Sequence, residues 1–223
     1  MRCNFLSVLI FTLFFTACSK DDDGKSGNSY DFDGTIETIR DFVGSDLLDT
    51  IVDMGMVINP GTNPPDVKGT YLASPLILIA TNVPDDYELG FRFPDSHIEI
   101  RNQRKFEVDF YEDHANTTGL GEGSFVSGDG DKFSLFVKVE TTMETGEVAD
   151  LINIISGRIS PEGIHDYKNA LFMVDDRGNS PPFLKTGEGR VVEDGDGLAE
   201  RQTSGLKKTP VSGNSLFLKK DLL

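Results

Sequence analysis

The chain has 223 residues, with 21 Lys and Arg against 37 Asp and Glu, so its formal net charge is −16. This charge repels nucleic-acid backbones, which excludes nucleic acid as a partner, and it favours cations or a basic protein surface. Cysteine occurs only at Cys3 and Cys18, too few for a disulfide framework or a thiolate zinc site.

Residues 1–17 are typical of a secretory signal peptide. Arg2 supplies a positive charge, residues 5–15 are almost entirely apolar, and Thr16 and Ala17 are small residues before Cys18. The apolar run is shorter than the roughly 20 residues that span a bilayer. A cysteine at this position resembles a bacterial lipobox, which implies that Cys18 is acylated and becomes the mature N-terminus. The remaining 206 residues (223 − 17) suffice for one domain with its own core.

Residues 18–30 are predicted to form a flexible acidic tether between the lipid and the domain. The run Lys20, Asp21, Asp22 and Asp23 resembles the export signal of surface lipoproteins in Bacteroidota, and the alternative is a plain solvated linker. Together with Cys18, it predicts a protein anchored by lipid to the outer membrane and exposed on the cell surface.

The folded domain is predicted over residues 31–197 and begins with a helical segment. Apolar residues recur at spacings of three and four over residues 35–54. The sequence Gly44-Ser45-Asp46 can divide this segment into two helices, with Ser45 or Asp46 as the second N-cap. Gly55 is placed to end it.

From Val67 onward, short apolar or alternating segments separated by turns predict about eight strands. The segments are 76–80, 98–100, 106–110, 125–127, 133–139, 151–159, 164–174 and 191–192. The part around Val148–Ile155 also fits a helix, but its β-branched pairs favour a strand. We therefore expect a mainly β fold, an antiparallel meander β-barrel preceded by a short helical segment, with a β-sandwich as the alternative.

Residues 198–223 carry five positive and two negative charges among Ser, Thr, Gly and Pro. This composition predicts a disordered basic tail. The alternative is that Leu216, Phe217 and Leu218 dock on the domain as an extra strand.

The sequence does not identify catalytic chemistry. His97, His114 and His165 lack the short spacing of a zinc site, and no serine lies in a Gly-x-Ser-x-Gly frame. No catalytic residue or cofactor is assigned, and a non-enzyme is favoured.

Asp194 and Asp196 lie in an Asp-Gly-Asp-Gly turn that could supply oxygen ligands to calcium, although such sequences also form ordinary turns.

Four stretches together carry a family resemblance: 63–71, 74–78, 155–157 with 162–164, and 194–198. They resemble a group of uncharacterised surface lipoproteins of Bacteroidota. A Gly69-Thr70-Tyr71 strand that opens a meander is also similar to lipocalin-like (calycin-like) barrels. The resemblance implies a β domain but no activity.

Three functions remain open. The first is a non-catalytic binding module for a small apolar ligand or glycan in the barrel mouth, with Phe91, Phe93 and Tyr111 as aromatic residues that could stack on sugars. The second is a structural or interaction subunit of an envelope complex with an unknown protein partner. The third is a hydrolase with a carboxylate pair. An open barrel interior would favour the first, and a filled interior the second.

Overall fold

A computed structural model describes residues 31–114, 117–143, 145–203 and 215–220. The predicted signal peptide, Cys18, the export signal and the tether lie outside these residues. In the described part of the chain, no helix is long and apolar enough to cross a membrane.

Two short helices precede the sheet, as predicted: α1 (Ile36–Val43) and α2 (Ser45–Asp53). Thr35 caps α1 by accepting a hydrogen bond from the backbone N–H of Thr38. The break lies at Gly44, whose φ of 94° favours glycine. The predicted capping by Ser45 or Asp46 is wrong, because Gly44 itself is the N-cap of α2 and no side chain caps it.

Eleven strands follow and form one antiparallel sheet: β1 (Gly69–Ala73), β2 (Leu76–Thr81), β3 (Arg92–Phe93), β4 (Ser96–Arg104), β5 (Glu107–His114), β6 (Thr117–Asp129), β7 (Lys132–Thr142), β8 (Val148–Ile159), β9 (Gly163–Asp175), β10 (Gly189–Asp194) and β11 (Leu198–Gln202). Eight of them close into a ring in the order β1-β4-β5-β6-β7-β8-β9-β11. The predicted eight-stranded antiparallel meander is confirmed, and β8 is a strand as preferred.

The ring does not consist of the eight segments that the sequence indicated. β2 and β10 lie outside the ring and form a three-stranded flap with β3, in the order β10-β2-β3. The branch arises because β9 is 13 residues long. Its first part, Gly163–His165, pairs with β11, and its later part, Lys168–Phe172, pairs with β10.

The prediction that the domain ends at residue 197 is wrong, because β11 closes the ring between β1 and β9. Arg201 of β11 lies 4.9 Å over the Tyr71 ring and donates a hydrogen bond to its hydroxyl at 3.0 Å. A Cβ on Gly69 would be 2.3 Å from Arg201 Nη1. The Gly-x-Tyr sequence of β1 thus makes room for the side chain that holds β11.

A second part of the predicted tail is also ordered. Leu216, Phe217 and Leu218 are buried at 1%, 5% and 6% exposure. The guanidinium of Arg190 is fully buried; it pairs with Asp86 at 2.6 Å and donates to the backbone oxygens of Leu216 and Leu218 at 2.6 and 3.1 Å. The alternative of docking was therefore the better prediction for this segment. The segment docks without forming a strand: its one β-bridge in the described residues joins Phe183 and Leu218, and the Leu184 N–H also donates to the Phe217 oxygen at 3.0 Å.

The domain has two apolar clusters, one on each side of the barrel wall. The larger fills the ring and the inner side of the flap. The smaller lies between the helices and the outer face of the wall, where Phe32 stacks on Phe125 with ring centroids 4.8 Å apart. The helices therefore cover only part of the outer face of the wall.

Candidate functional site

The described part of the ring interior is packed. Inward-facing side chains of β7 and β8 alternate with outward-facing ones, as a strand requires. They are at most 6% exposed: Phe133, Leu135, Val137, Val139, Ala149, Leu151 and Ile155. They belong to one continuous apolar cluster with the inward side chains of the other strands. These side chains therefore pack against one another and do not form the ligand space that was expected in the barrel mouth.

A buried polar layer crosses this interior. Glu112 accepts hydrogen bonds from Ser96 Oγ at 2.5 Å and from Asn153 Nδ2 at 2.8 Å. Asn169 Nδ2 donates to the Tyr167 hydroxyl at 3.4 Å. Burial raises the pKa of Tyr167, with the Glu112 charge adding to the effect, so the phenol stays protonated. The carboxylate is held by neighbouring side chains, which fixes how β4, β5 and β8 face one another.

The outer face of the same wall carries a loop bound tightly to it. Asn59 anchors the segment after α2: its backbone N–H donates to Ser134 Oγ at 2.9 Å, and its Nδ2 donates to the Phe133 oxygen at 2.9 Å. Ser127 Oγ donates back to the Asn59 oxygen at 2.7 Å. These bonds join residues about 70 positions apart and make the loop a fixed wall.

Close backbone contact continues this attachment. Gly61 and Gly128 approach so closely that a Cβ on Gly61 would be 2.3 Å from the Gly128 oxygen. The Gly128 N–H donates to the Gly61 oxygen at 3.2 Å, and the Asn63 N–H donates to the Gly128 oxygen at 3.2 Å. Only glycine at position 61 allows this approach without displacement of the loop.

Between the loop and the strands lies a pocket of about 350 Å³. Its lining residues come from the loop, β7, β8 and β9: Val57, Asn59, Lys132, Ser156, Gly157, Arg158, Asp166 and Lys168. The strand residues form two rows across the outer face. Lys132 is the partner of Arg158, and Ser156 is the partner of Lys168.

A bulge in β9 shapes one side of the pocket. The register shifts between Ser156 and Arg158, and Asp166 has a φ of 53°. A Cβ on Gly157 would be 2.5 Å from Ile164 Cγ2, so glycine lets the bulged strand approach. Bulges turn a side chain towards a new direction, and here Asp166 contacts Arg158 at 2.7 Å.

The pocket has more positive than negative side chains. Arg158 pairs with Asp166, and this hydrogen bond raises the pKa of its guanidinium. Lys168 Nζ donates to the Gly55 oxygen, a neutral acceptor, at 3.1 Å. Among residues 31–114, 117–143, 145–203 and 215–220, no carboxylate lies within 4.0 Å of the Lys132 or Lys168 ammonium group. The arrangement can therefore attract an anionic group.

The predicted calcium residues lie elsewhere, in the turn after β10. Asp194 Oδ2 accepts from the Ser74 N–H at 2.7 Å, and Oδ1 accepts from the N–H groups of Asp196, Gly197 and Leu198 at 3.1, 3.2 and 3.3 Å. Burial raises the pKa of Asp194, and nearby Asp196 adds to the rise. Within the described residues, no three His, Cys, Asp or Glu side chains group as metal ligands. Calcium binding stays a prediction.

The other candidates are separate from the pocket. Phe91 stacks on Tyr87 at 4.0 Å, and Phe93 is buried at 3% exposure, so both belong to the flap. His165 Nε2 contacts Ser160 Oγ at 3.1 Å. His97 and Tyr111 lie on β4 and β5 and are half-buried. The Phe91 and Phe93 rings contact each other, with centroids 5.0 Å apart, but the structure does not bring them to the described histidines or to Tyr111, and the side chain of His114 lies outside the description.

Sequence reasoning missed Lys132, Arg158 and Lys168, because they belong to three strands and form no motif. A signal was nevertheless present. Gly128-Asp129-Gly130 indicates a hairpin before β7 and residues 160–163 a tight turn after β8. They place Lys132 and Arg158 at the same edge of an antiparallel pair, on the face away from the apolar residues.

In comparisons with known proteins, no family model, no curated protein and no solved structure matches this chain.

Proposed function

We propose that this protein is a lipid-anchored outer-membrane protein, exposed on the cell surface, that binds a small polar ligand such as a glycan unit without catalysing a reaction. The anchor rests on the sequence around Cys18. The resemblance to surface lipoproteins of Bacteroidota stays a prediction. Ligand binding rests on the pocket of about 350 Å³ on the outer wall, whose volume is within the range typical of small-molecule sites.

The attachment of the loop is the observation that carries the proposal. Asn59 is hydrogen-bonded to both the backbone and a side chain of β7, so the pocket exists before a ligand arrives. A preformed site does not have to order its own walls on binding, which favours affinity. Its lining has one carboxylate, Asp166, whereas glycoside hydrolysis needs two facing carboxyl groups. This supports binding rather than hydrolysis.

The packed interior bears on the two ligand classes considered first. Leu135 and Val137 are fully buried at the centre of β7, which speaks against an apolar ligand held inside the ring. The packed interior is also compatible with the alternative function, in which the protein is a structural or interaction subunit of an envelope complex. In that case the net charge of −16 would favour a partner with a basic face.

The site is tested by filling the pocket. Val57 lines it and is 51% exposed, whereas Val52 on α2 is 46% exposed and is not among the lining residues. The mature protein and the variants Val57→Trp and Val52→Trp would be screened against immobilised neutral and acidic oligosaccharides. We expect binding by the wild type and Val52→Trp and its loss in Val57→Trp. Equal binding by both variants, or no binding by the wild type, would contradict the proposal.

The location is tested separately in cells. Cys18→Ala should remove the protein from the membrane fraction, because stable attachment needs the acyl chains. Replacement of Asp21, Asp22 and Asp23 by Ala should protect the domain from protease added to intact cells while acylation persists. Unchanged membrane fractionation in the first variant would refute the anchor, and unchanged protease sensitivity in the second would refute the export signal.

A further inference from the structure

The outer-wall pocket concentrates positive charge on a strongly acidic chain. Its lining includes Lys132, Arg158 and Lys168 against Asp166 alone, while the whole chain has a net charge of −16. Three of the 21 basic residues thus gather around one cavity of a chain that has 37 carboxylates.

The strand register makes that excess unfavourable in the absence of a ligand. Lys132 and Arg158 are direct cross-strand partners, and like charges in this position destabilise a sheet. Arg158 has two carboxylates nearby, Asp166 at 2.7 Å and Asp131 at 4.0 Å, and neither forms an ion pair with a lysine of the pocket. Lys168 has a neutral backbone oxygen as its partner. Two lysines that line the same cavity thus have no carboxylate partner among the described residues, and a bound anion would relieve the repulsion between the cations.

The surrounding groups suit a ligand that is larger than a simple ion. The volume of about 350 Å³ far exceeds the roughly 30 Å³ that one water molecule occupies in the liquid. Asn59 and Ser156 add uncharged polar groups to the lining, and Val57 adds an apolar one. We propose that the pocket selects acidic saccharides, in which a carboxylate or sulfate group binds between Lys132 and Lys168 while the sugar ring fills the space beside Val57.

This inference rests on the proposed function, and its test separates the two. The mature chain would be titrated with D-glucuronate, D-glucose and inorganic sulfate, and binding would be followed by NMR chemical shifts. Since D-glucuronate differs from D-glucose by its carboxylate, the charge-assisted hydrogen bond predicts about tenfold tighter binding of the acid. The difference should shrink as salt rises, because exposed charges are screened.

Variants identify the charges responsible. Lys132→Gln and Lys168→Gln should each weaken D-glucuronate binding several-fold more than they weaken D-glucose binding. Lys185→Gln removes an equal charge from an exposed position that is not among the lining residues, so it should change neither.

The outcomes that overturn the inference are distinct. Equal binding of D-glucose and D-glucuronate, lost in Val57→Trp, would leave the proposed function standing and refute the selection of acids. Sulfate that binds as tightly as D-glucuronate would refute the saccharide part, because the sugar ring would then add nothing. Absence of binding by every probe would refute both the inference and the proposed function.

Discussion

The inner and outer faces of β7, β8 and β9 have opposite environments: one is packed and apolar, and the other lines a pocket with charged side chains. On the inner face, Leu135 and Ile155 are fully buried in the apolar cluster. On the outer face, Lys132, Arg158 and Lys168 surround a pocket of about 350 Å³. The difference arises from what covers each face. The inner face is closed by the rest of the ring, whereas the two helices and the loop on the outer face leave a pocket against β7, β8 and β9.

This comparison shows that an eight-stranded ring does not by itself imply a ligand inside it. Rings of this size have an interior just wide enough for side chains to fill or for one small ligand, and here the inward side chains that the structure describes pack into one apolar cluster. The outer face then offers the better site, because the loop anchored by Asn59 leaves a gap against the wall.

The largest effect is expected where a charge lies inside the fold rather than on its outer wall. Asp86→Asn should cost about 3–5 kcal/mol of unfolding free energy at pH 7, because Arg190 would remain buried without its counter-charge. Chemical denaturation measures this. As a control, Lys219→Gln removes the partly exposed pair with Glu188 and should cost at most about 1 kcal/mol. Equal costs would contradict the account.

The same pair has a defined pH dependence. Burial alone would raise the pKa of Asp86, but hydrogen bonds from Arg190 and Thr81 outweigh it and lower the pKa below the usual 3.8. The stabilisation is therefore complete above pH 3.8 and is lost as pH falls through the lower, folded-state pKa. The stability gap between the wild type and Asp86→Asn should narrow in that acidic range, and a constant gap would contradict the assignment.

A matched pair of substitutions on β7 tests the difference between the two faces. Leu135→Ala on the inner face should cost about 2–5 kcal/mol, since it leaves a cavity in a packed core. Lys132→Gln on the outer face should stay within about 0.5 kcal/mol. Thermal and chemical unfolding measure both. A cost below about 1 kcal/mol for Leu135→Ala would indicate an interior with free space and would revive the barrel-mouth site.

The polar layer inside the ring should contribute less than the apolar packing. Asn153→Ala removes a hydrogen bond to the Glu112 carboxylate, and bonds to charged groups contribute about 1.5–3 kcal/mol. Asn169→Ala removes a longer bond, 3.4 Å, to the neutral Tyr167 hydroxyl and should cost less. The reverse order in urea denaturation would show that the layer is not organised around Glu112.

These contrasts show where sequence reasoning succeeds. Alternation predicted β7 correctly, because its polar and apolar residues occupy opposite faces. The break between the helices was visible at Gly44. β11 was missed because Leu198–Gln202 has one fully buried side chain, Ala199, so its position depends on backbone pairing to β1 and β9 and on Arg201 over Tyr71. Such long-range contacts leave no local pattern.

The candidate site was less predictable than the fold for the same reason. Val57, Lys132 and Lys168 are far apart in sequence and meet only when the loop docks on the closed ring. Asp194 and Asp196 form a local sequence motif, yet their oxygens accept backbone N–H groups of their own turn. The motif therefore indicates a turn, whereas the residues that line the pocket belong to no sequence motif.

The smallest effect is expected for calcium. Asp194 already accepts four backbone N–H groups, so a cation would have to replace them. Millimolar calcium should raise the melting temperature only slightly, by screening the negative charge, and magnesium should do the same. A rise specific to calcium that is lost in Asp196→Asn would show a metal site and would make metal-assisted binding the leading function.

We expect the ligand to bind on the outer wall and not inside the ring, and a crystal structure of the mature protein with D-glucuronate would show its position. Density should lie between Val57 and Arg158, with the carboxylate within hydrogen-bond distance of Lys132 or Lys168 Nζ. Density inside the ring, beside Glu112 and Asn153, would contradict this expectation.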